Sequence, residues 1–209
     1  MPIASLSNFS VPLVTNNSSP NQGMLMPKLA YRFRVTMFGF GALTSVDSVT
    51  EVTKQVMSVD RPQPSFEEIP LHVYNSTIKL QGKYKWNNIK LKVRDDVTNA
   101  VTTVVGQQLQ KQFDFFNQSS GAAGQDYKFS MIIEILDGGN GAAQPITLEA
   151  FELDGCWLKQ VTYDSVDYSK NDPLAVEMEI CYDNATQVDA AGGNLIATPI
   201  RTSSANATQ

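Results

Sequence analysis

Residues 151–182 read FELDGCWLKQVTYDSVDYSKNDPLAVEMEICY. The stretch parses as a strand, a Gly155-Cys156-Trp157 corner, and a polar segment around Asp164, Asp167 and Tyr168. A turn at Asn171-Asp172-Pro173 and a final alternating strand complete it. In that last strand Leu174, Val176, Met178 and Ile180 recur every second residue, the period of a half-buried strand. Glu177 and Glu179 take the alternate positions. The segment is organised to build a sheet and holds no set of catalytic groups.

Upstream, YKFSMIIEIL (127–136) and ITLEAFEL (146–153) read as strands joined through a DGGNG turn. Strands flank these glycines on both sides, which favours a hairpin turn over a phosphate cradle. Glu134, Glu149 and Glu152 are expected on or near outward faces, with Glu177 and Glu179. Before these strands, Val97, Val101, Val104, Val105, Leu109, Phe113 and Phe116 recur at helical spacing and predict one helix over about 95–118. Asp95 or Asp96 suits its N-cap, and SSGAAGQ ends it.

Residues 73–93 predict a hairpin in which Ile78 and Leu80 alternate with Lys79 and Gln81, and Ile89, Leu91 and Val93 with Lys90 and Lys92. GKYKWNN is its expected connection, with Trp86 at the tip as an interface anchor or a stacking residue. Lys79, Lys83, Lys85, Lys90 and Lys92 make a basic ribbon. It is either a solvated face or a surface laid against the glutamate-rich strands of a neighbouring identical chain. Trp157 reads as core. DRPQPSFEEIPLH precedes the hairpin, and its Pro62, Pro64 and Pro70 forbid a helix or a central strand, so an ordered loop or arm is expected. Residues 49–59 suggest a strand, as do Tyr31, Phe33, Val35 and Met37 alternating with Arg32, Arg34 and Thr36. The expected organisation is a flexible arm at 1–26, a core at 27–184 and a flexible tail at 185–209. The fold class is mostly β with some α: a sandwich or barrel with one packed helix.

The net charge of −5 leaves no basic field to hold nucleic acid, and 42% hydrophobic content describes a folded chain. No run of ~18 apolar residues suggests a membrane span, and the N-terminus lacks the pattern of a signal peptide. Synthesis in a cytoplasm is expected, which argues against glycosylation at the N-x-Ser/Thr triplets and favours free thiols at Cys156 and Cys181. No metal site, cofactor or enzyme activity is expected. His72 is the single histidine, no nucleophile or zinc motif occurs, and Asp164, Asp167 and Asp172 lack calcium-loop spacing.

The order of features resembles the tail tube protein of contractile-tailed bacteriophages. The resemblance rests on PKLAYRFRV (27–35), RPQPSFEEIPLHVYNSTIKLQG (61–82), KWNNIKLKVRDD (85–96) running into the helix, and GCWLKQVTYDSVDYSKNDPLAVEMEICYD (155–183). It implies a non-enzymatic virion protein, assembled in the host cytoplasm as hexameric rings stacked into a tube. Implied partners are further copies of the chain, a contractile sheath, baseplate and tail-terminator proteins, and viral DNA sliding through the lumen. Arg61, Pro62, Pro64, Phe66, Glu67, Glu68 and Pro70 would form a loop reaching an adjacent ring. Lys79, Lys83, Lys85, Trp86, Lys90 and Lys92 would form an inter-subunit hairpin, and Glu177, Glu179 and Glu149 would line the channel, with the lysines paired or turned outward. The tube of a type VI secretion or contractile injection system, or a baseplate tube initiator, fits the same features. A carbohydrate-binding sandwich would instead show Trp86 and Trp157 in a groove.

Overall fold

The structure is a computed structural model that describes residues 27–41, 52–120, 127–138, 145–169 and 171–189. The expected arm (1–26) lies outside these residues. The chain divides into two units, Met1–Arg32 and Phe33–Gln209, and the second holds the strands and the core.

The strands are β1 (Phe33–Phe38), β2 (Val56–Val59), β3 (Pro64–Val73), β4 (Ser76–Trp86), β5 (Ile89–Arg94), β6 (Phe113–Asp114), β7 (Ser119–Ser120), β8 (Phe129–Leu136), β9 (Thr147–Tyr163), β10 (Ala175–Cys181) and β11 (Asn184–Asp189). Helix α1 (Ala100–Gln112) lies between β5 and β6. Seven strands form one sheet in the order β1-β8-β9-β10-β5-β2, with β11 also paired to β9. The 17-residue β9 serves two layers. Residues 147–156 pair with β8 and 149–154 with β11, while 157–163 pair with β10. The expected Gly-Cys-Trp corner is therefore a bend within one strand. Gly155 sits there with φ 67, a conformation that glycine adopts without a Cβ penalty.

Both layers point alternate side chains into one core. Val35, Met37, Met131, Ile133 and Leu153 come from the first layer, and Ile89, Leu91, Val93, Met178 and Ile180 from the second. Each of these is essentially inaccessible to water. Helix α1 adds Val101, Val104 and Val105, and Phe40 meets Phe129 edge-on at 4.9 Å. The chain has the expected mostly-β sandwich with a packed helix.

The helix is shorter than expected at both ends. The Asp96 carboxylate accepts from Ala100 N–H at 3.0 Å, and Asn99 takes φ 57, so the helix starts at Ala100 and leaves Val97 in solvent. Its end is set by Asp114, which accepts from Phe116 N–H, Asn117 N–H and the Asn117 amide. Those bonds hold a two-residue ladder in place of another helical turn, so Phe113 and Phe116 leave the apolar stripe and Phe116 is 92% exposed. The sheet also runs beyond 184. β11 occupies the first residues of the expected tail, because Ala185 is buried against the core. Residues 190–209 lie outside the described residues.

Candidate assembly surfaces

The Pro-rich segment is a strand. β3 pairs with β4 from Pro64↔Trp86 to Val73↔Ser76, and the two stand apart from the main sheet. Proline lacks a donor, so Pro64 and Pro70 are tolerated where the strand has a free edge. This corrects the expected hairpin over 73–93: β4 pairs backwards with β3, the turn is Tyr74-Asn75, and β5 pairs with β10 and β2. GKYKW belongs to β4 rather than to a turn.

Trp86 consequently sits at the base of the hairpin. It packs on the core 5.7 Å from the Tyr182 ring, and its indole N–H has no acceptor among the described residues. Trp157 alternates with the buried Cys156 and Leu158, so its side chain lies on the outer face, half-buried, rather than in the core.

Distal to a register shift between Phe66 and Glu68, the hairpin is two-faced. Ile69, Leu71 and Val73 oppose Leu80, Ile78 and Ser76, and each of the five large apolar residues keeps about half of its surface in water. Glu68, Pro70 and His72 oppose Gln81, Lys79 and Thr77 on the other face, where Lys79 pairs with Glu68 at 3.0 Å and His72 meets the Thr77 hydroxyl at 3.2 Å. Glu67 lies within the irregularity, where a Cβ on Gly82 would come within 3.0 Å of its carbonyl oxygen. Arg61 precedes β3, in the irregular segment between β2 and the hairpin.

The basic ribbon is thus divided. Lys79, Lys83 and Lys85 stay on the hairpin, whereas Lys90 and Lys92 lie on β5 in the second layer. There they oppose Glu179 and Glu177 of β10 in register. Lys90 Nζ is 2.9 Å from Glu177, Lys159 Nζ is 2.7 Å from Glu179, and Lys92 Nζ is 3.7 Å from Asp164. Asn88 also donates to Glu179 at 2.6 Å. Lys159 lies at a register shift against Glu179/Ile180, which lets it reach across. Lys159, and then Asn88, hold the Glu179 carboxyl below the usual carboxylate range, and Glu179 raises Lys159 in turn. The outer face of the second layer is thus a lattice of three lysines against three carboxylates.

Glu149 does not belong to this lattice. It shares strand parity with Phe151 and Leu153 in the first layer, is 5% exposed, and accepts from Gln187 Nε2 at 2.8 Å. The expectation of an outward Glu149 is corrected: the strand alternation that buries Phe151 and Leu153 carries it inward as well.

Two glutamines that belong to no sequence motif organise the helix side. Gln108 is fully buried; its Oε1 accepts from Gly41 N–H at 2.8 Å and its Nε2 donates to Tyr127 C=O at 2.7 Å. Gln112 bonds both the N–H and the C=O of Leu158. Position is the signal that could have found them, since 101, 104, 105, 108 and 112 lie on one helical stripe. Both cysteines are free thiols, and burial pushes Cys156 up to about 12. Among the described residues no group of three His, Cys, Asp or Glu could hold a metal, and no helix is long and apolar enough to cross a membrane.

Comparison with solved structures places this architecture. A chain of the anti-feeding prophage baseplate, solved by cryo-electron microscopy with six-fold symmetrisation, superposes with a TM-score of 0.57 at 13% identity, over 80% of this chain and 99% of that one. A chain of the tube-terminating cap of the same prophage gives 0.57 at 14% identity, over 84% and 99%. A chain of the PVC extracellular contractile injection system, from its sheath–tube complex in the extended state, gives 0.52 at 19% identity, over 78% and 92%. No protein-family model matches the chain, and no curated protein matches it in sequence. The chain has the tail-tube fold of contractile injection systems.

Proposed function

We propose that this chain is a tube subunit of a contractile tail. Copies close into hexameric rings, and the rings stack into the conduit for DNA inside a sheath, joined to baseplate and terminator proteins. The observation that carries the reading is the second layer. Its order is β9-β10-β5-β2 with every neighbour antiparallel, and among the described residues its outermost strands beyond Leu158 pair on one side only. Unpaired edges are an aggregation hazard that ring closure removes. In a ring of such four-strand sets, β2 of one copy would lie antiparallel to β9 of the next, which lets the ladder continue from copy to copy.

The outer face of this layer is polar, with three lysines paired to three carboxylates and Arg94 exposed on the same side of β5, which suits the wall of a water-filled channel. Glu177 and Glu179 then line the lumen with their lysines already paired. DNA carries a charge every ~1.7 Å of axis, and a wall whose three lysines are paired holds it weakly enough to slide. The β3–β4 hairpin, with Arg61 and Pro62 leading into it, Pro64, Phe66, Glu67, Glu68 and Pro70 on its first limb and Lys79, Lys83 and Lys85 on its second, reaches a neighbouring subunit or ring.

A second reading keeps the tube and changes its context: the tube or cap of an injection apparatus. The likeness to chains from the anti-feeding prophage and PVC assemblies favours it. Neighbouring genes separate the two, capsid and terminase genes for a phage and secretion genes otherwise. Electron microscopy of the purified protein tests both. Hollow rings or tubes are expected, and dispersed monomers at high concentration would overturn them.

A further inference from the structure

The loop between β9 and β10 folds beside β2 and Lys92 to enclose a groove of about 520 Å3. Its apolar lining includes Met57, Val166 and Leu174, which are 41%, 82% and 45% exposed. Asp164, Asp167 and Asp172 supply its acidic lining. Lys92 offsets Asp164 alone. Asp167 accepts from the N–H and hydroxyl of Ser169 at 3.0 and 2.9 Å, which hold its carboxyl below the usual carboxylate range. Asp172 has no ion pair among the described residues. The groove therefore presents uncovered apolar surface beside two carboxylates that have no ion pair among the described residues.

The β3–β4 hairpin offers the converse. Ile69, Leu71, Val73, Ile78 and Leu80 form an uncovered apolar face. Near its base Lys83 and Lys85 have no ion pair among the described residues, against the single charge of Glu67, because Glu68 is taken by Lys79. Groove and hairpin are both exposed in one chain, so they do not fill each other within it. The 10- and 11-residue strands with their two-residue turn match the residue count of one side of a standard interface, roughly 20–30.

We propose that the hairpin of one copy seats in the β9–β10 groove of the next, its apolar face against Met57, Val166 and Leu174, and Lys83 and Lys85 against Asp167 and Asp172. The contact joins unlike patches, so each seated copy leaves a free groove and a free hairpin and the assembly propagates. This rests on the reading of the chain as a self-assembling tube subunit and specifies which surfaces meet.

Two charge-reversed variants test it, K83E/K85E and D167K/D172K. Each alone sets like charges against each other and is expected to form at least ten-fold fewer tubes than wild type at physiological salt, with unchanged circular dichroism. An equimolar mixture restores opposite charges at every contact and is expected to recover elongation. Wild-type elongation by either variant alone, or no recovery in the mixture of two folded variants, overturns the proposal and leaves the tube reading standing. A wild-type protein that forms neither rings nor tubes overturns both. Independently, I78C/V166C in one chain is expected to give an intermolecular disulfide ladder on oxidation, and its absence from assembled tubes overturns the pairing.

Discussion

The side-chain amide of Gln112 pairs with the main chain of Leu158 as a neighbouring strand would, its Oε1 accepting from Leu158 N–H and its Nε2 donating to Leu158 C=O, both at 2.9 Å. Leu158 lies just past the bend at which β9 leaves the first layer for the second. The last turn of α1 thus closes a short length of sheet edge inside the subunit, and from Lys159 onward that edge has no partner strand among the described residues. Gln112→Ala removes both bonds and leaves a partly buried donor and acceptor unpaired. It is expected to destabilise the unassembled chain by about 1–3 kcal/mol, or roughly 3–10 °C in the thermal midpoint. A midpoint within 1 °C of wild type would show that water replaces the amide at no cost.

Gly155 and Asp183 set the bend itself. Gly155 has φ 67, and a Cβ added there would overlap the Asp183 carboxylate, which holds Lys128 Nζ at 2.5 Å. Gly155→Ala is expected to cost about 1–2 kcal/mol for the left-handed backbone, plus a further loss as Asp183 swings away from Lys128. The second loss depends on Asp183. In a double-mutant cycle with Asp183→Ala the two substitutions are therefore expected to be less than additive in chemical denaturation. Strict additivity would remove Asp183 from the account.

How far the fold was legible depends on which signal each element used. β8, β10 and the inward face of β1 were readable because every second residue is apolar and the structure buries Val35, Met37, Met131, Ile133, Val176, Met178 and Ile180, although Tyr31 and Leu174, which continue the pattern, lie outside the strands and are exposed. The β3–β4 hairpin was expected with the wrong turn and the wrong partner strand, for a physical reason. Its strands are half-exposed on both faces, so no burial pattern distinguishes strand from loop, and its prolines lie where a free edge excuses them. Phe113 and Phe116 fitted the helical stripe in sequence, but the local bonds of Asp114 outweighed periodicity. Of the candidate site, Glu177, Glu179, Lys90 and Lys92 were legible as outward positions, while their pairing within one chain was not. Register between β5 and β10 is decided by a contact across more than eighty residues of sequence, which no local pattern encodes.

Glu134 gives the acid limb of stability its sign. It accepts from Arg34 Nε and Nη2 at 2.5 and 2.9 Å and from the Thr147 hydroxyl at 2.9 Å. Arg34, and then Thr147, outweigh desolvation and hold its carboxyl below the usual value of 4.5. A carboxyl depressed in the folded state contributes stability that is present above the unfolded pKa and lost as pH falls through the folded one. The contribution is therefore complete near neutrality and disappears below about pH 4.5. Glu134→Gln is expected to lower stability at pH 7 by about 1 kcal/mol, Arg34 being half-exposed, and to flatten the fall between pH 5 and 3. Denaturation midpoints of both proteins across that range decide it, and parallel curves would move the acid sensitivity to another carboxyl.

The lattice on the second layer makes the last prediction, and it concerns transport rather than folding. Glu177 and Glu179 offset Lys90 and Lys159 at 2.9 and 2.7 Å. If this face lines the lumen, E177Q/E179Q leaves two uncompensated lysines per subunit on the wall while preserving shape and hydrogen-bonding capacity. Cations along a channel bind phosphates with an affinity that falls steeply as salt rises, with a slope near −0.9 per phosphate contact on duplex DNA. Tubes of the variant are therefore expected to retain duplex DNA at 50 mM salt and release it by several hundred millimolar, whereas wild-type tubes retain none at either. K90Q/K159Q, which removes the cations instead, should behave as wild type. Equal retention by all three tubes would place the lattice on the outside of the tube, and the channel wall would then belong to the outer face of β1, β8 and β11.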